Sequence, residues 1–95
     1  AAAAAARERL SAALRAGGMR PLRSDANFVL CDLGVDDGEL GEMLLRRGVL
    51  IRTGADMGLP GWARITVAPE PVMERAAAAI LAARDELAAA GAGAR

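Results

Sequence analysis

The chain contains no lysine, no histidine and no tyrosine, and all 12 of its basic residues are arginine. Those absences remove the amine, imidazole and phenol that carry most covalent and general-base chemistry. As an isolated catalyst the chain therefore reads as incomplete. A single cysteine, Cys31, excludes an internal disulfide and makes a reducing, cytoplasmic compartment the expectation. Cys31 lies in an apolar run without a histidine to activate it, so it reads as a small buried hydrophobe rather than a nucleophile. Aromatic residues are limited to Phe28 and Trp62, which is too few for a base-stacking platform. Both are expected in the core or at a domain contact. The 12 acidic residues balance the 12 basic ones. No basic excess is left to neutralise phosphates, and no nucleic-acid partner is expected. The strongly apolar stretches are far shorter than a membrane span, and no charged-then-apolar leader pattern stands out. No membrane partner is expected either.

What is present fits one domain. A chain of 95 residues holds one core of two layers and little more. Residues 1–16 predict a helix: alanine is the strongest helix former, and Leu10, Ala13 and Leu14 recur at helical spacing. Gly17-Gly18 ends it. The alanine run at residues 1–6 reads as a true helix start or as the cut end of a longer helix, with a slight preference for the second. Residues 19–22 predict a short extended piece, which Pro21 confines to an edge. "FVLCDL", residues 28–33, is nearly continuous in apolar character and predicts a strand buried on both faces. "GVDDGE" is a loop in which Asp36 or Asp37 caps the next helix. That helix carries Leu40, Met43 and Leu44 on one face, with Leu45 beside them, and stops at Gly48. "VLIR", residues 49–52, predicts a second strand and "WARITVA", residues 62–68, a third, joined by the glycine-punctuated loop "TGADMGLPG". Residues 69–74 start a last helix with the apolar stripe Met73, Ala76, Ile80, Ala83 and Leu87. The tail "GAGAR" is expected to fray. Helices on one face of a small sheet are the economical packing.

Two arginines are candidates for binding chemistry. Arg52 ends the second strand and Arg64 lies near the start of the third. If those strands pair antiparallel, both guanidinium groups reach the same end of the sheet, flanking the glycine-rich loop. A guanidinium grips a carboxylate or phosphate in a planar two-bond fork, so the pair is suited to an anionic ligand. The alternative is a pair of solvated strand-end charges, or ion pairs with Asp25 or Asp56. The acidic group Asp36, Asp37 and Glu39 lacks the ligand spacing of a calcium loop and reads as helix capping and a solvated face. "GLPG" lacks the lysine and the following helix of a phosphate-cradling loop.

The blocks "SDANFVL", "RRGVLIR" and "GLPGWARITVAPE", in that order and spacing, resemble the C-terminal part of fold-type I pyridoxal-phosphate aminotransferases. The likeness is greatest to the histidinol-phosphate branch and extends from about Arg9 to Leu87. The resemblance implies an α/β (α+β) two-layer sandwich, a mostly antiparallel sheet of three to four strands with helices on one face. This would be the family's small domain, spanning residues 1–95 as one unit. It implies transfer of an amino group between an amino acid or amino-phosphate and a 2-oxo acid, with pyridoxal 5'-phosphate as cofactor. Arg64 matches the family arginine that binds the substrate carboxylate. Arg52 matches a second arginine that holds the anionic end of the substrate, and Asn27 an organising asparagine at the site's rim. The implied partners are a large cofactor-binding domain, which carries the lysine that this chain lacks, and a second subunit in a homodimer. The chain alone is expected to be inactive and to self-associate through the face that meets the large domain. Ala68 and "PEPVME" depart from the family's glycine and following acidic pair, which loosens assignment to one branch. A threonine-phosphate decarboxylase-like enzyme and a freestanding, non-catalytic interaction module are the alternatives.

Overall fold

The structure, a computed structural model, describes residues 2–22 and 27–93. In chain order the elements are α1 (Ala2–Ala16), β1 (Arg20–Pro21), β2 (Phe28–Asp32), α2 (Asp37–Arg46), β3 (Arg52–Thr53), a 3-10 turn (Gly54–Met57), β4 (Trp62–Thr66) and α3 (Glu70–Gly93). The four strands form one sheet in the order β1-β2-β4-β3, and every neighbouring pair is antiparallel. β2 and β3 therefore run parallel with β4 inserted between them, a split β-α-β arrangement in which α2 is the crossover. This is the expected two-layer α+β architecture.

Burial follows directly from the pleat. Val29 and Cys31 of β2, and Ala63 and Ile65 of β4, point to the helices and are buried. They meet Leu10 and Leu14 of α1, Leu40 and Leu44 of α2, and Met73, Ile80 and Ala83 of α3. Full burial of one such leucine or isoleucine is worth about 1.5–3 kcal/mol, so the helical layer and the sheet depend on each other. The predicted stripe of α3 faces this core, with Leu87 at its margin. Exposed ion pairs of Arg9 with Glu74 and of Arg47 with Glu86 link α3 to α1 and to the end of α2. Pairs in that setting add little. The apolar interdigitation holds the layers.

Four expectations need correction. "FVLCDL" is buried on one face only: Phe28, Leu30 and Asp32 alternate with the buried positions and stay half-exposed, because no layer among the described residues covers the second face of the sheet. The strand predicted over residues 49–52 shrinks to Arg52–Thr53. Leu50 ahead of it is 79% exposed, and the ladder to β4 starts only at Arg52. α3 takes in the first three residues of the tail expected to fray, to Gly93, and the last two lie outside the described residues. Finally, the acidic group at the start of α2 is not simply a solvated face. Asp36 is the cap, its side chain accepting from Glu39 N at 2.8 Å, while Asp37 is buried.

Candidate functional site

The β3–β4 register places Arg52 directly opposite Arg64. Directly paired residues share a face of the sheet, with Cβ atoms about 5 Å apart. The face is the open one: along β3 the preceding Ile51 enters the core, so Arg52 points away from it. On β4 the buried Ala63 and Ile65 flank Arg64 and send it outward in the same way. Leu50, Arg52, Thr53, Asp56, Arg64 and Thr66 line a shallow cleft of about 430 Å³ here.

The two arginines differ in their surroundings. Arg64 is half-buried and its guanidinium carbon lies 5.1 Å from the centre of the Phe28 ring. A cation over a ring face is attracted by the ring without using its N–H donors in conventional hydrogen bonds. Arg52 is exposed on the edge strand. Among the described residues neither arginine forms an ion pair, although Asp56 shares the cleft. Asp25, the other acid considered, lies outside the described residues. Two like charges directly across a ladder disfavour the pairing, and a bound anion reverses that sign.

Asn27 stands apart from this cleft. It immediately precedes β2, its side chain is exposed, and its carbonyl accepts from Val67 N at 2.8 Å. Its connection to the arginines is indirect: the next residue, Phe28, is the ring under Arg64. Trp62 lies half-buried on the same open face, outside the core.

The sequence reading missed Asp37. Its side chain is 3% exposed. One carboxylate oxygen accepts from Ala55 N at 2.9 Å and the other from Gly61 N at 3.0 Å. These two backbone hydrogen bonds hold its pKa below the usual carboxylate value, against the opposing effect of burial. The available signal was the tandem Asp36-Asp37. A helix start needs one capping carboxylate, and the second was free for another task.

One other sequence expectation, the buried cysteine, meets the structure here. Cys31 is fully buried, and burial, reinforced by the Asp32 charge, raises its thiol pKa to about 11. Among the described residues no group of three or more acidic, histidine or cysteine side chains is placed to hold a metal. No helix among them is long and apolar enough to cross a membrane.

A helix-covered antiparallel sheet is the architecture that the sequence resemblance implies, and comparison with known proteins defines the class. The family model for aminotransferase class I and II matches residues 1–80, and the chain belongs to that family. Among its curated relatives, the histidinol-phosphate aminotransferase of Symbiobacterium thermophilum is 42% identical over 77 residues, covering 81% of this chain and 21% of the relative. That of Geobacillus sp. (strain WCH70) is 41% identical over 58 residues, covering 61% and 16% respectively. The Streptomyces avermitilis enzyme of the same name is 47% identical over 60 residues, covering 63% and 15%. The chain thus spans about a fifth or less of these relatives' lengths. A crystal structure assigned as an aminotransferase from Burkholderia pseudomallei superposes with a TM-score of 0.78 at 30% identity, covering 87% of this chain and 26% of that one. An amino transferase from Eubacterium rectale shares the fold, with a TM-score of 0.76 at 22% identity over 90% of this chain and 22% of that one.

Proposed function

We propose that this chain is the small domain of a pyridoxal-phosphate-dependent aminotransferase of the histidinol-phosphate type, and that Arg52 and Arg64 grip the anionic group of its amino-acid or amino-phosphate substrate. The observation that carries the reading is the direct cross-strand pairing of the two arginines in one open cleft, with no ion pair to either among the described residues. An unneutralised like-charge pair is a poor way to stabilise a sheet edge and a good way to bind an anion. Arg64, fixed by its ring contact, supplies a rigid fork. Arg52, more exposed, supplies a second and more mobile one.

Family membership supports the amino-transfer chemistry, and the family generally uses pyridoxal phosphate. The donor set present does not fit covalent attachment of that cofactor, because the chain has no lysine. In this proposal the cofactor, with its lysine, belongs to a larger domain that completes the site. The residues of this chain contribute binding and orientation: they fix the anionic end of the substrate and thereby the direction of its reacting bond.

Replacing Arg64 tests the reading. A charge-assisted hydrogen bond is worth roughly 1.5–3 kcal/mol, so Arg64→Ala in the whole enzyme is expected to lower kcat/KM by about ten- to a hundredfold. The loss should fall mainly on KM, with cofactor binding retained. Unchanged kinetics would remove Arg64 from the substrate site.

A further inference from the structure

We infer that Asp37 is a positioning residue for the arginine pair, a carboxylate clamp that fixes the distance and register between β3 and β4. The inference rests on the reading above that Arg52 and Arg64 bind an anion, and it assigns the device that keeps them in place to bind it.

Asp37 accepts one amide from each end of the connection between the two strands. Ala55 follows Arg52 by three residues and Gly61 precedes Arg64 by three, so one carboxylate holds both arms at matching distances from the two arginines. The clamp has work to do because the ladder is short. β3 contributes only Arg52 and Thr53 to the sheet, paired with Arg64 and Ala63, and it is an edge strand. Repulsion between the two guanidinium groups pushes that edge outward. A slip of one residue would turn Arg52 toward the helices and away from Arg64. Asp37 resists both displacements from a firm base: it is the first residue of α2, whose start Asp36 caps, and α2 is anchored in the core by Leu40 and Leu44. Its carboxylate forms no ion pair with either arginine, so its effect on them passes through the backbone.

This mechanism and simple electrostatics predict opposite signs. Removing a nearby negative charge should tighten anion binding if only the field matters, whereas loosening the clamp should weaken it. The probe is sulfate, titrated into the 95-residue chain while the guanidinium Nε–H resonances of Arg52 and Arg64 and the amide resonances of Ala55 and Gly61 are followed by NMR. In the wild-type chain sulfate is expected to move both arginine signals. Asparagine keeps one acceptor oxygen and turns an NH2 group toward the other backbone N–H, so in Asp37→Asn one of the Ala55 and Gly61 amides should lose its hydrogen-bonded shift and the sulfate Kd should rise about fivefold, since binding groups displaced by fractions of an ångström lose their preorganisation. Asp37→Glu keeps the charge but moves the carboxylate by one methylene. It should weaken sulfate in the same direction, and it carries the test alone if the Asn variant fails to fold. Equal or tighter sulfate binding in a folded Asp37→Asn or Asp37→Glu chain would overturn the positioning role while leaving the arginine site standing. Failure of sulfate to move either arginine signal in the wild-type chain would instead overturn the anion reading, and the inference with it.

Discussion

At the residue scale, burial pushes the pKa of two ionisable side chains upward, and their hydrogen-bond partners decide the net result. Cys31 is enclosed in the core beside the Asp32 charge, and these two effects outweigh a backbone hydrogen bond from Arg20 that favours its thiolate, so its pKa rises to about 11. Asp37 is also shielded from solvent, yet two backbone amides are directed at its oxygens and its pKa falls. The outcome depends on which partners the fold delivers. For Cys31 this gives a direct expectation: in the folded chain at neutral pH it reacts with a thiol-specific disulfide reagent far more slowly than a free cysteine, and denaturant restores ordinary reactivity. Rapid labelling of the native chain would mean that the sheet opens or that Cys31 is not enclosed. The position of Arg64 shows the same dependence. Its residue type was visible in the sequence, and so was its alternation with Ala63 and Ile65, but its ring partner Phe28 is 36 positions away in sequence (64 − 28) and only strand pairing brings the two together.

At the element scale, the connection between β3 and β4 is a built structure. It opens with a 3-10 turn, and Leu59 N returns to Gly54 O at 2.8 Å. Gly54 is required there for space. A Cβ at that position would lie 2.1 Å from the Leu59 carbonyl oxygen and 2.6 Å from that of Trp62. Both are backbone atoms, so relief would require moving the chain that carries Arg64. Gly54→Ala is therefore expected to destabilise the chain by about 2 kcal/mol, at the upper end of ordinary single substitutions, and a thermal melt measures it. A melting temperature matching wild type would show that the turn accommodates a methyl group and that the loop is looser than described. The sequence marked this loop correctly by its glycines. Its internal turn and its tether to Asp37 were not legible, because both depend on contacts with α2 and with its own far end.

At the scale of the whole molecule, one face of the sheet is covered by three helices and the other carries Phe28, Leu30, Trp62 and Arg64 half-exposed and Arg52 exposed. Leu50 beside the arginine cleft is 79% exposed, and Leu45 on α2 is 62% exposed. A 9.7 kDa chain with this much apolar surface in water is expected to associate. Sedimentation equilibrium should give a weight-average mass above the monomer that grows with concentration. A constant 9.7 kDa at high concentration would show that the open face tolerates solvent. The arrangement also explains why β2 was read as buried on both faces. Leu30 and Phe28 have the composition of interior residues, and only the layer count reveals that no described element covers them.

The sequence by itself determined the elements and their order, because helix caps, glycine stops and apolar periods are local properties that each segment carries with it. It also determined the family likeness, which the comparisons bear out, and it singled out the two arginines. Only the tertiary structure decided that Arg52 and Arg64 are directly opposed, that Asn27 stands outside their cleft, and that Asp37 is an internal clamp. Each of those outcomes depends on register and on which face is covered. Those are set by strands and helices meeting across dozens of residues, and no local pattern encodes them.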